Sequence, residues 1–140
     1  MSYYDDVETY VVDALKTAYI GQADILIVPS VAAREIETLE VPRVISVIVN
    51  QGTLARSLEL GSEANQEEQI EVVLLFYAAA NPPKDGRRGV REMLLTCRDA
   101  LRGQVPATGC DRLYPTGWNT LGTLKSGALM RQVWATTHNG

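Results

Sequence analysis

Residues that could carry out acid–base or metal chemistry are few in this chain. His138 is the single histidine and lies near the carboxyl end, where we expect a frayed tail. A Ser-His-Asp or Cys-His centre needs a histidine that is held rigidly. A zinc site needs three or four ligands, and the chain offers one imidazole and two thiols. An all-carboxylate magnesium site stays open, although no clustered motif indicates one. The sequence therefore predicts no catalytic centre, no metal site and no cofactor.

The two thiols, Cys97 and Cys110, differ in their predicted surroundings. Cys97 falls on the apolar face of a predicted helix, so we expect it to be buried and unreactive. Cys110 falls in a loop, and we expect it to be exposed. A disulfide between them is open on sequence grounds, and two cysteines in a chain of this length fit a reducing compartment.

The segment Lys84–Gly89 (KDGRRG) is the best candidate for binding an anion. Lys84, Arg87 and Arg88 stand at the start of a predicted helix, where backbone amides and the helix dipole favour negative charge. The segment lacks the G-x-x-x-x-G-K-[ST] pattern of a P-loop. Two interpretations follow: a solvated turn that starts a helix, or a contact patch for an acidic protein or for passing DNA.

Charge is divided unevenly along the chain. Residues 1–70 hold four basic and twelve acidic residues, a net charge of −8, whereas residues 71–140 hold nine and five, a net charge of +4. Overall acidity argues against a general nucleic-acid binder. Opposite charge on two surfaces would steer copies of the chain head to tail. The alternative is that the two halves interleave in the fold and the asymmetry vanishes.

Periodicity predicts an α+β domain over residues 1–140, with element order α-β-β-β-α-β-β. We expect a mixed or antiparallel sheet of about four to five strands, with both helices packed on one face. Residues 30–40 are expected to form a loop, with or without a short helical turn, and residues 104–127 irregular structure or one short strand. The predicted helices and strands are Tyr4–Ala18, Ile25–Val28, Arg43–Asn50 (continuing past a bulge within Gln51–Ser62), Glu68–Ala79, Arg87–Arg102 and Ala128–Thr137.

The strand Glu68–Ala79 is long for so small a protein. At about 3.3 Å per residue its twelve residues span about 40 Å, close to the width of a globule of this size. We therefore expect its polar half to project as a β-hairpin arm, a feature more common in assembly proteins than in small enzymes. The longest apolar stretch, Val72–Ala80, is too short to cross a membrane. The acidic amino terminus is unlike a signal peptide.

The order of these segments resembles that of small phage tail proteins. The segments that carry the resemblance are YYDDVETYVVDALKTAY, VPRVISVIVNQG, EEQIEVVLLFYAAA, RRGVREMLLTCRDALRG and ALMRQVWATT. They are similar to the Mu-like minor tail protein family and, more distantly, to lambda-type tail terminators. The resemblance implies a structural virion protein without catalytic residues, assembled in the host cytoplasm.

Such proteins form a ring, usually of six copies, on the head-facing end of the tail tube. The ring stops tube polymerisation and joins the tail to the head. The implied partners are further copies of the chain, the tail tube protein and a head–tail connector or neck protein. DNA passes the lumen without specific binding, and no membrane is involved.

We expect interface residues in the basic turn and in the arm, with the acidic ones facing solvent or the lumen. These residues are Lys84, Arg87, Arg88, Arg56, Glu59, Glu63, Glu67 and Glu68. Two alternatives stay open. One is another neck or tail-completion protein of the same plan, and the other is a small cytosolic domain that binds an anion or a nucleotide.

Overall fold

The structure, a computed structural model, describes residues 3–55 and 67–139 and confirms the α+β class and the predicted element order. In the described part, two α-helices accompany one five-stranded sheet, and two 3-10 helices connect elements. The α-helices and strands are α1 (Tyr3–Ala18), β1 (Ile25–Pro29), β2 (Arg43–Ala55), β3 (Glu67–Ala79), α2 (Arg87–Leu101), β4 (Tyr114–Thr123) and β5 (Gly127–Asn139). The 3-10 helices are Ala33–Leu39 and Pro83–Gly86.

The sheet is mixed, with strand order β1-β2-β3-β5-β4. β1 runs parallel to β2, and the other neighbouring strands are antiparallel. A parallel pair needs a crossover, which here contains the 3-10 helix Ala33–Leu39. The two outermost strands are therefore β1 from the first half of the chain and β4 from the second.

Both α-helices pack on the same face of the sheet, as predicted. Val11 and Leu15 of α1 and Val90 of α2 belong to one buried cluster with Phe76 and Trp134 of the sheet. Trp134 is fully buried, and its Nε1–H donates to Oε1 of Gln132 at 2.9 Å, so the indole polar group is satisfied. The main core lies between this face and the two helices.

The opposite face carries a smaller apolar cluster. Ile36 of the first 3-10 helix packs there against Val44 and Leu75. Ser46 on the same face is buried, and its hydroxyl donates to the Val31 carbonyl at 2.7 Å and accepts from the Val31 N–H at 3.0 Å. The crossover thus covers β2 on the face opposite the two α-helices.

Two segments differ from, or extend, the predicted pattern. Residues 114–123 form a ten-residue edge strand, because register shifts at Pro115/Gly117 and Thr120/Gly122 accommodate residues that otherwise break strands. β2 continues to Ala55 past a register shift between Gln51 and Leu54, as the sequence allowed. β5 accompanies β3 along its whole length to the Glu67–Asn139 pair. The base of the predicted projecting arm, at the start of β3, is paired with both β2 and β5, and residues 56–66 of the arm lie outside the described residues.

Gly86 fixes how α2 meets the sheet. It is buried at the end of the second 3-10 helix, and a Cβ there would collide with the Ala78 carbonyl oxygen and crowd Ala128. Its φ of −69° is open to any residue, so the requirement for glycine is one of space alone. Gly117 on β4 is a suitable contrast, since nothing lies within 4 Å of the position of its Cβ.

We expect Gly86→Ala to lower the free energy of unfolding by about 1–3 kcal/mol, because the added methyl group overpacks a buried contact. Gly117→Ala should change it by less than about 0.5 kcal/mol, as an open surface position. Urea denaturation of both variants measures this. Equal stability of the two variants would contradict the role assigned to Gly86.

Candidate interaction surfaces at the two edges of the sheet

The strand order places the acidic first half and the basic second half of the chain at different edges of the sheet. α1 packs on β1 and β2, at one side of the sheet, whereas α2 packs on β3 and β5 beside β4. Residues 3–55 hold eight acidic and three basic residues, and residues 84–131 hold four and nine. The acidic excess therefore lies mainly on the side of α1 and β1 and the basic excess on the side of α2 and β4, although Glu37 of the crossover accepts hydrogen bonds from Ser126 in the β4–β5 turn. We call these two sides the acidic edge and the basic edge.

On the basic edge, arginines follow one stripe of α2. Arg87, Arg91 and Arg98 are spaced four and seven residues apart, which places them on one side of the helix, and Arg102 follows directly after its last residue. No carboxylate of residues 3–55 or 67–139 lies within 4.0 Å of these four side chains. The stripe is therefore a line of positive charge available to an acidic partner.

The predicted basic turn lies at the amino end of this edge. Lys84 lies in the second 3-10 helix, Arg87 and Arg88 begin α2, and all three are exposed. Arg88 Nε lies 3.7 Å from Glu92 Oε1, one turn along the helix. An exposed pair of this kind contributes little to stability. The turn is thus a solvated helix start that also extends the basic edge.

A groove between α2 and β4 adds apolar surface to the basic edge. It encloses about 190 Å³ and is lined by Arg91, Leu94, Leu95, Arg98, Trp118 and Met130. Trp118 is 59% exposed and Leu95 52% exposed, both high for apolar side chains of this size. Sequence reasoning did not reveal the groove, because it allowed residues 104–127 at most one short strand, whereas β4 is a ten-residue strand that carries Trp118 to α2.

On the acidic edge, an exposed apolar side chain, Ile20, lies on a turn that hydrogen bonds keep in place. Ile20, just after α1, is 83% exposed. Arg43 holds the turn that follows: its Nε donates to Asp24 Oδ2 at 2.9 Å and its Nη2 to Asp24 Oδ1 at 2.7 Å and to Gln22 Oε1 at 2.8 Å. These hydrogen bonds lower the pKa of the Asp24 carboxyl and raise the pKa of the Arg43 guanidinium.

Tyr19 anchors the same turn from inside. It is buried, and its hydroxyl donates to the Met93 carbonyl of α2 at 3.4 Å. Burial raises the pKa of Tyr19 to about 12, so the hydroxyl stays protonated and remains a donor. Ile20 therefore lies between Tyr19, which is bonded to α2, and a turn that is bonded to Arg43.

The expectation of a frayed His138 is wrong. His138 is half-buried in β5, where it pairs in register with Glu68 of β3 and forms an isolated bridge with Cys110. The backbone continues this attachment, since the Asp111 N–H donates to the Thr137 carbonyl at 2.9 Å. The loop before β4 thus closes over the end of β5 and holds the histidine.

The expectation that Cys110 is exposed is wrong for the same reason, since the loop that carries it packs against β5 and buries it. Burial raises the pKa of both thiols, Cys110 and Cys97. A raised pKa keeps a thiol protonated, the opposite of what a Cys-His nucleophile needs. Cys97 is buried as predicted, and both cysteines are free.

The remaining predicted interface residues lie in or beside the arm. Glu67 begins β3 opposite Ala55. Glu68 is half-buried rather than fully open to solvent. Arg56, Glu59 and Glu63 lie outside the described residues.

In residues 3–55 and 67–139, no group of three or more His, Cys, Asp or Glu side chains could hold a metal ion. Neither α1 nor α2 is long and apolar enough to cross a membrane. The features that stand out are therefore surfaces rather than a reactive centre.

The fold of the chain is found in a known assembly. Two helices on one face of a mixed five-stranded sheet define its class, and this arrangement matches a chain in the solved virion of a native gene transfer agent particle. The match covers 95% of this chain and 94% of that chain, with a TM-score of 0.56 and 14% sequence identity, and shows a common fold. No protein-family model and no curated protein matches the sequence.

We expect both thiols to react with a thiol reagent on the order of 100-fold more slowly in the native protein than in the unfolded chain, because reaction requires local opening. Cys97→Ala and Cys110→Ala separate the two rates. Cys110, closer to the surface, should react before Cys97. Fast native labelling of Cys110 would contradict the closed loop over β5.

Proposed function

We propose that this chain is a structural protein of a phage-like virion and acts by assembly. The observation that carries the proposal is the opposite charge on the two open edges of the sheet. Unlike surfaces that attract form a heterologous interface, and repetition of such an interface closes a ring when the rotation allows it. The shared fold with a gene transfer agent virion chain supports the same role.

The more specific form of the proposal is a tail terminator. A ring, usually of six copies, would cap the head-proximal end of the tail tube, stop its polymerisation and offer a surface to the head–tail connector. The resemblance of the five sequence segments supports this form. Closing a ring requires no reactive side chain. The raised pKa of Cys97 and Cys110 keeps both thiols protonated, which agrees with a role that involves no chemistry.

Within this proposal, Lys84, Arg87 and Arg88 contribute to the basic edge that meets the next copy. Glu67 and Glu68, with Arg56, Glu59 and Glu63 of the predicted arm, are proposed to meet a partner or the lumen. Acidic side chains facing the lumen would repel DNA phosphates and let the duplex pass.

The role can be tested by deleting this chain from cells that produce the particles and examining the particles they release. We expect tails longer than normal, measured by negative-stain imaging, because nothing stops tube growth. The wild-type chain should restore normal length. A chain lacking Glu59–Gln66 should fold, as measured by circular dichroism, and fail to restore it.

Two outcomes would change the proposal. Normal-length tails detached from heads would replace the terminator by another neck or tail-completion protein. Normal infectious particles without the chain would contradict a structural role altogether.

A further inference from the structure

The outer edge of β1 carries backbone groups that meet no neighbouring strand. β1 is an outermost strand of the sheet and pairs with β2 on one side only. The Asp24 carbonyl and the Ser30 N–H both bond to β2, so every second residue between them points its backbone groups the same way. Ile25 and Ile27 therefore each direct an N–H and a C=O outward.

A cleft of about 420 Å³ runs along this edge, and we call it the β1 cleft. The residues that line it are the five of β1 together with Lys16, Tyr19 and Gln22. Ile27 belongs to the core under the helices, whereas Val28 packs on the opposite face of the sheet, which Leu26 shares by alternation. The β1 cleft thus borders apolar surface on one face and a lysine on the helix side.

Lys16 is the charged residue among those that line the β1 cleft. It is exposed, and no carboxylate of residues 3–55 or 67–139 lies within 4.0 Å of its amino group. Asp24, which precedes β1, is already paired with Arg43 at 2.7 Å. A fitting occupant therefore carries a carboxylate on the helix side of the sheet and apolar side chains on the other side.

We propose that the β1 cleft binds residues 57–60 of a second copy of the chain, which add a strand to the sheet. These residues have the sequence SLEL and lie outside the described residues. An extended segment satisfies an unpaired strand edge with its backbone and fits a cleft with alternate side chains. The inference rests on the ring assembly proposed above and names the surface that receives the predicted arm.

The side chains of this segment alternate as the β1 cleft requires. In an added strand, Leu58 and Leu60 lie on one face of the sheet and Glu59 lies on the other. When the two leucines meet the apolar face of Leu26, the glutamate comes to the helix side, where Lys16 lies. A shift by one residue would place the glutamate on apolar surface, so the same pattern sets the register.

The segment must come from another copy. Pro29, at the end of β1, pairs with Val47, eight residues before Ala55 at the end of β2. Ala55 therefore lies about 26 Å beyond β1 along the strands, at about 3.3 Å per residue. Leu60 follows Ala55 by five residues, which reach at most about 18 Å. Each copy thus gives a segment to one neighbour and receives one from another, as a heterologous ring requires.

The opposite edge of the sheet is less suited to receive a strand. β4 contains Pro115, which has no N–H, and its pairing with β5 shifts register at two places. Natural sheets use such features to protect an edge from further pairing. β1 has no charged residue, pairs with β2 in unbroken register, and has its proline only at the last position. β1 is therefore the edge that is open to strand addition.

Amide hydrogen exchange, resolved to single residues, tests strand addition directly. The N–H groups of Ile25 and Ile27 point outward in a single copy, whereas those of Leu26 and Val28 already point to β2. We expect exchange at Ile25 and Ile27 to slow at least about 10-fold when the chain associates, because their N–H groups become bonded. The slowing at Leu26 and Val28 should be smaller.

Sedimentation velocity of variants identifies the segment that binds. We expect the wild type to associate beyond dimers, and Leu58→Asn/Leu60→Asn to associate at least about 10-fold more weakly, as for loss of a central contact. Lys16→Glu and Glu59→Lys should each weaken association about 2- to 5-fold. The double variant Lys16→Glu/Glu59→Lys should recover it, because the exchanged charges pair again. Arg34→Glu makes the same change of charge at an exposed position outside the β1 cleft and is the matched control.

Several results would overturn the inference. They are a wild type that stays monomeric at every concentration, association without slower exchange at Ile25 and Ile27, or a Leu58→Asn/Leu60→Asn protein, folded by circular dichroism, that associates like the wild type. Slower exchange at the same amides in that variant would assign the β1 cleft to a different strand of the second copy. Normal tails restored by that variant would refute this contact and leave the proposed function standing, whereas normal particles without the chain would refute the function itself.

Discussion

The order of strands in the sheet is the constraint on which the other features depend. The parallel pairing of β1 with β2 and the insertion of β5 between β3 and β4 place β1, from the first half of the chain, at one edge and β4, from the second half, at the other. Each helix lies on the side of its own half, so the acidic excess of α1 and the basic excess of α2 are separated across the sheet. Without that order, a net charge of −8 beside one of +4 would be only a property of composition.

Side chains on the two edges owe their positions to the core between them. Tyr19 connects the turn of Ile20 to α2, and Gly86 lets α2 lie close against Ala78 and Ala128. The groove wall on α2 and the exposed turn on the acidic edge are thus parts of one packed unit. A rigid unit with unlike edges suits repeated assembly, since each copy presents the same pair of surfaces to its neighbours.

Much of the fold was predictable because it depends on local patterns. Apolar periodicity predicted both helices, and alternation predicted β2, β3 and β5. The bounds and length of β4 were not predicted, since Pro115, Gly117 and Gly122 weaken a strand signal and are tolerated only at an edge with register shifts. Cys110 and His138 were misplaced because their burial comes from a long-range contact between a loop and β5. The groove has the same origin: Leu95 and Trp118 meet through packing, which sequence spacing does not reveal.

Native mass measured by light scattering at low and high salt, with and without purified tail tubes, tests the central claim most directly. Attraction between oppositely charged edges predicts a closed oligomer at low salt, alone or on tube ends, that dissociates as salt screens the charges. A monomer under all these conditions, or a species that stops at a symmetric dimer, would contradict the account.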